Sequence, residues 1–168
     1  MEITLVLDNI RSCYNVGAIL RTAEGFGVHK VILSGYTPRV HDQNLLPYLR
    51  EKLDKEIHKT ALGAEDMLDI YSSDDIMSEL EKLHQQGWQI VGLENNIKNV
   101  PICALNESDL KRKLTDKVAL VLGEEVHGID YALYDIIDLF LEIPMKGQKE
   151  SFNVSVAAGI AMYALCLN

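Results

Sequence analysis

Short unbroken apolar runs alternate along the chain with stretches in which apolar residues recur every three or four positions. Ile3–Leu7, Lys30–Ser34, Trp88–Glu94, Lys117–Gly123 and Asp138–Pro144 read as five strands of the continuously apolar kind that is buried on both faces. Val16, Ile19, Leu20, Ala23 and Phe26 have helical spacing, with Gly27 as the stop. Ile76, Leu80 and Leu83 share one face of an exposed amphipathic helix, capped by Asp74 or Ser73 and ended by Gly87. A short helix is expected near 129–136 and a long one from Val154 to the C-terminus. From Gly35 to Lys52 the periodicity fades, and Pro38 and Pro47 punctuate a loop. Strands separated by helical stretches predict an α/β fold, a mostly parallel sheet with helices on both faces.

The C-terminal helix is unusual. Ser155, Ala157, Ala158, Gly159, Ala161 and Ala164 lie among Val, Ile, Met and Leu, so the helix is apolar all round and has to be enclosed by more than one neighbour, from its own chain or a second subunit. At 14 residues the run Val154–Leu167 is short of the roughly 20 that a bilayer span needs. In parallel sheets ligands sit outside the carboxyl ends of the strands, and three unusual loops follow strands here: "DNIRSCYNVG", "GEEVHG" and "PMKGQKESFN".

Composition narrows the picture. The 168 residues are enough for one packed core, and 1–168 is expected to be a single domain that starts directly with its first strand, without an RNA-binding extension at either end. No secretory leader is visible, and three scattered cysteines suit neither a disulfide framework nor a zinc site, so a reducing cytoplasm is expected and no metal. The net charge of −9 argues against a phosphate-rich partner. Its distribution softens that: residues 1–60 hold 8 Lys+Arg against 7 Asp+Glu, and 61–168 hold 8 against 18.

Candidate chemistry gathers in the three loops. Gly123 ends a strand where a missing side chain lets a ligand reach the backbone, although "LGEEVHG" is neither a P-loop nor a dinucleotide fingerprint. That excludes a nucleotide-dependent oxidoreductase of the usual kind. Glu124 and Glu125 are open to three roles: general base, acceptor for a ligand, or solvated loop charge. Ser151 or Asn153 can cap the last helix. Arg21, six residues after Asn15, either snorkels into solvent or, if buried, needs a carboxylate or phosphate partner.

Taken together, "NVGAILRTAEGFGV", "LVLGEEVHGI" and "IPMKGQKESFNVSVAAGIAMY" resemble, in order and spacing, the three motifs of the SpoU (TrmH) family of RNA ribose 2'-O-methyltransferases of the SPOUT superfamily. The similarity runs from about Thr4 to Leu167, and "KTALGAE" looks like a feature of the family's small members. The resemblance implies an α/β sheet with a C-terminal deep trefoil knot, a homodimer, and S-adenosylmethionine held near Leu93, Gly123, Ile143, Met145 and Phe152. Phe152 departs from the leucine usual there. Asn15, Arg21, Glu124, Ser151 and Asn153 fall on the family's active-site positions, with Arg21 as base or, more conservatively given a guanidinium pKa above about 12, as phosphate clamp. The implied substrate is a structured RNA, a compact tRNA loop ahead of an rRNA site. The alternative is a non-catalytic knotted RNA-binding or assembly module.

Overall fold

A computed structural model describes residues 1–95, 97, 102–104, 110 and 112–166. Its elements run β1 (Glu2–Asp8), α1 (Cys13–Gly25), β2 (Lys30–Ser34), α2 (Pro47–Ala61), β3 (Asp69–Ser73), α3 (Ile76–Gln85), β4 (Gln89–Leu93), β5 (Ile102–Ala104), β6 (Lys117–Leu122), β7 (Leu139–Glu142) and α4 (Val154–Cys166). All strands pair in parallel, in the order β3-β2-β1-β6-β4-β7-β5. Alternate residues enter two cores, one on each face. Leu5, Leu7, Val31, Leu33, Leu120 and Leu141 pack with α1, α2 and α4. Val6, Ile32, Ile90, Val121 and Phe140 pack with Leu80 and Leu83 of α3 and with Ile129, Leu133 and Ile137. The expected two-sided parallel sheet is therefore present.

Two strands and one helix exceed the expectation. β3, "DIYSS", is an edge strand that stays partly exposed and so lost the apolar signature, and β5 has only three residues. α2 occupies what the fading periodicity suggested was loop. Only Ile57 and Ala61 of it are buried, and Pro47 stands in its first turn, where a missing N–H costs nothing. The helix expected over 129–136 is a single 3-10 turn, Tyr131–Leu133. α3 is capped by Asp75, whose carboxylate accepts from the Ser78 N–H at 3.1 Å; Asp74 instead pairs with Arg39. α4 is not enclosed all round by its own chain: Ala158, Ala161, Met162 and Leu165 are buried, while Val156 and Tyr163 are about half exposed at 49% and 57%.

The C-terminal half of the sheet has an uncommon order. The connection β5→β6 passes β7 and β4, and β6→β7 passes β4 again, so consecutive connections overlap, which chains ordinarily avoid. The knot implied by the resemblance takes in the segment between β4 and β6, which contains residues 96, 98–101, 105–109 and 111 outside the described set.

Candidate active site

The loops after β4, β6 and β7 meet the start of α4 around a cavity of about 450 Å³. Leu93, Gly123, Ile143 and Phe152 line it, as do Glu124, Ser151 and Asn153; Met145 does not. The walls are held by side chains gripping main chain. Asn95 donates through Nδ2 to the carbonyls of Ile143 at 3.0 Å and Glu150 at 3.2 Å, while its Oδ1 accepts from the Ile143 N–H at 3.0 Å. Glu94 accepts from the N–H groups of Ile129 at 3.0 Å and Asn95 at 3.1 Å. Burial pushes the Glu94 carboxyl up from its ordinary value, and those two N–H bonds only partly offset it.

Gly123, which lines the cavity, has a packing reason beside the expected one. Glu124 and Gly128 exchange N–H···O bonds of 3.0 and 2.9 Å, folding the loop back on itself. A Cβ at Gly123 would strike the Gly128 carbonyl and the Ile129 nitrogen, and one at Gly128, where φ is +72°, would strike the Glu94 carboxylate. The bare backbone at 123 thus serves the close fold of its own loop.

The three sequence motifs join at the mouth of the cavity. Asn153 Nδ2 donates to Asn15 Oδ1 at 3.2 Å, and Asn15 Nδ2 donates to Glu125 Oε1 at 2.9 Å. Glu125 also accepts from the main-chain N–H groups of Arg11 at 3.0 Å and Ser12 at 3.3 Å, at the positive end of α1. Burial alone would raise the Glu125 carboxyl; the Arg11, Asn15 and Ser12 donors outweigh it and hold it below the usual glutamate range. Of the two capping candidates for α4, Asn153 does the work, its Oδ1 accepting from the Ser155 N–H at 2.9 Å. Ser151 stands exposed at the rim without a hydrogen bond among the described residues.

Glu124 has its side chain only 12% exposed and pairs with Arg11 Nη1 at 3.3 Å. The acid that ties Asn15 into the site is its neighbour Glu125. Arg21 is exposed, does not line the cavity, and has no ion pair among the described residues, so a single chain does not bring it to the site. Gly17 has a packing role: a Cβ there would meet the Ile57 carbonyl and the Thr60 hydroxyl, so its absence lets α1 and α2 cross closely. The residues missed from sequence are Glu94 and Asn95; Glu125 was singled out together with Glu124, but not its bond to Asn15. The loop "LEN" also follows a strand, and the rule that singled out the other three loops applies to it equally.

Fold and site define an α/β domain with a cavity of small-molecule size at the carboxyl ends of interleaved parallel strands. The chain belongs to the SpoU rRNA methylase family, whose model matches residues 2–163. It is 34% identical over 159 residues to the 23S rRNA (guanosine-2'-O-)-methyltransferase RlmB of Nitrosomonas europaea, covering 95% of this chain and 54% of that protein. The A. aeolicus TrmH/SpoU tRNA modifying enzyme superposes with a TM-score of 0.77 at 25% identity, covering 99% of this chain and 74% of that one. The SpoU methyltransferase AviRb from Streptomyces viridochromogenes, in complex with AdoMet, superposes with a TM-score of 0.77 at 21% identity, over 99% of this chain and 57% of that one. The chain spans about half the length of the curated relatives it matches. Those relatives are named chiefly for rRNA, the reverse of the expected lean toward tRNA.

Proposed function

We propose that the protein transfers a methyl group from S-adenosylmethionine to a ribose 2'-hydroxyl of a structured RNA, rRNA ahead of tRNA, in the cytoplasm. The observation that carries this reading is the hydrogen-bonded chain Asn153–Asn15–Glu125, which unites three distant loops beside one cavity. The cavity suits the cofactor. Its volume falls in the range of about 300–1,000 Å³ usual for small-molecule sites. Leu93, Leu122, Ile143, Val154 and Ala157 offer apolar walls for a purine, and Glu94, Glu124 and Glu125 offer carboxylates to a molecule carrying a sulfonium and an ammonium. When bound, the cofactor supplies an electrophilic methyl carbon. Met145 keeps its place as a family-implied contact outside the cavity lining.

The chain's own groups then have three tasks. Asn15 and Asn153, locked to each other, fix amide groups at the mouth where a ribose hydroxyl is to be oriented. Ser151 presents to an RNA phosphate a hydroxyl that has no hydrogen bond among the described residues. The hydroxyl proton has to leave as the new O–C bond forms. Glu125 is committed to N–H donors, which leaves Glu124 and water as acceptors. Arg21 clamps phosphate through its planar fork of N–H donors. Its exposed position on α1 supports a homodimer in which it reaches the site of the other copy, with Phe26 and Tyr163, a ring pair 6.2 Å apart, and Val156 on the uncovered face.

Transfer of tritium from labelled S-adenosylmethionine to RNA tests the reading. Arg21→Ala is expected to lower transfer by about 100-fold or more while calorimetric cofactor binding stays at the parent value. Transfer at the parent rate would remove Arg21 from the active site. A parent protein that binds RNA but no cofactor would instead be the non-catalytic module.

A further inference from the structure

The sequence of α2 hides a regular surface. At about 100° per residue, Tyr48, Lys52, Lys55 and Lys59 fall within about 60° of arc, opposite the buried Ile57. All four are exposed, Tyr48 to 66%. They line one shallow groove with Glu51 and Glu56, which stand on either flank. The stripe continues onto α1: Lys59 Nζ lies 5.5 Å from the Tyr14 ring centroid and 3.2 Å from its hydroxyl, and the Thr60 hydroxyl donates to the Tyr14 carbonyl at 2.9 Å. Tyr14 is followed by Asn15, a member of the chain at the cavity mouth.

We propose that this stripe is a docking track for single-stranded RNA leading to the site, an inference that rests on RNA being the substrate. Ammonium groups at intervals of three and four residues with aromatic rings at both ends match a strand that offers phosphates on one side and base faces on the other. A chain with net charge −9 repels phosphates over much of its surface, so a strand is drawn to the stretch where cations are not outnumbered. Lys52 has no ion pair among the described residues. Lys55 and Lys59 are held by Glu51 at 2.6 Å and Glu56 at 3.7 Å, pairs that exposed helices exchange readily for a phosphate. The glutamates thereby moderate affinity, so variants of opposite sign can be made on the same helix.

Fluorescence anisotropy with an oligouridylate of about 20 nucleotides, between about 50 and 200 mM salt, tests the track. The triple variant Lys52→Ala, Lys55→Ala, Lys59→Ala is expected to lose at least about tenfold in affinity near 0.1 M salt, with the slope of log K against log salt shallower by about 2. Glu51→Gln with Glu56→Gln is expected to tighten binding, and Tyr48→Ala to weaken it by about fivefold with the slope unchanged. Glu56 is half-buried and the other positions are exposed, and unchanged thermal unfolding and cofactor binding confirm an intact fold. Equal affinity and slope in the triple variant, in a parent that binds RNA and transfers methyl groups, overturns the track and leaves the enzyme reading standing. A parent that binds neither the RNA nor the cofactor overturns both. An equal loss on duplex RNA overturns the single-strand assignment, and an equal loss on polyglutamate points to an acidic protein partner instead.

Discussion

In the β3-β2-β1 half of the sheet each strand lies beside its neighbour in sequence, whereas in the β6-β4-β7-β5 half no two neighbours are consecutive. The difference extends to what holds each half. Around β1 and β2, helix α1 buries Val16, Ile19, Leu20 and Ala23 and crosses α2 at Gly17, so apolar contact between successive elements does most of the work. Around β4 and β7, side chains hold distant main chain: Asn95 grips Ile143 and Glu150, Glu94 grips Ile129, and Asp138 accepts from the Ile90 N–H at 2.8 Å. Such links do not follow from burial. They fix loop positions to hydrogen-bond accuracy, and the cavity lies among them. The first half is held chiefly by packing between successive elements, and the second adds links that set a particular shape.

Two glycines put the largest strain on that contrast. Gly123→Ala drives a Cβ into the backbone of Gly128 and Ile129, which cannot part without opening the loop. It is expected to cost about 3 kcal/mol, lowering the melting temperature by about 6–12 °C, and to abolish cofactor binding. Gly17→Ala drives a Cβ into α2, a helix that can tilt away; a loss of about 1–3 kcal/mol is expected, with cofactor affinity intact in the folded protein. Thermal unfolding and calorimetry read both. If Gly17→Ala also abolished binding, the two halves would not be separable. A smaller effect is expected from Asn95→Ala, which leaves the Ile143 N–H without its acceptor. About 2 kcal/mol of stability and about tenfold in cofactor affinity should be lost, with faster amide exchange at Ile143. Thr60→Ala, which removes one hydroxyl contact to α1, should cost about 1 kcal/mol and leave the affinity unchanged.

The same division governs what could be read from the sequence. Five apolar runs marked five of the seven strands among the described residues because central parallel strands are buried on both faces, which leaves a continuous signature; β3, at an edge, had no such signature to leave. α2 was missed because a helix that buries only Ile57 and Ala61 carries almost no apolar periodicity. The three loops of the site were found because unusual residues followed strands. Their internal arrangement was not, because nothing in "GEEVHG" says which glutamate turns toward Asn15, and nothing in "LEN" says that Asn95 reaches a carbonyl 55 residues away.

The smallest effect separates two glutamates by the sign of their response to pH. Glu125 joins the halves: its folded carboxyl titrates below the ordinary value of 4.5, because the donors from Arg11, Asn15 and Ser12 outweigh the effect of burial. Its contribution to stability is present above 4.5 and is lost as pH falls through the lower folded value. Glu94 lies wholly within the C-terminal half: burial raises its carboxyl above 4.5, against the opposing N–H bonds of Ile129 and Asn95. Its contribution is fully present below 4.5 and is lost as pH rises through the higher folded value. Melting temperatures of the parent and of the two Glu→Gln variants, followed from about pH 7 downward, resolve the two. The margin of the parent over Glu94→Gln should grow as pH falls toward 4.5 and then level off, while its margin over Glu125→Gln should hold to 4.5 and shrink below it. Parallel curves would mean that both carboxyls are solvated alike, and the polar links of the second half would then be no tighter than ordinary surface contacts.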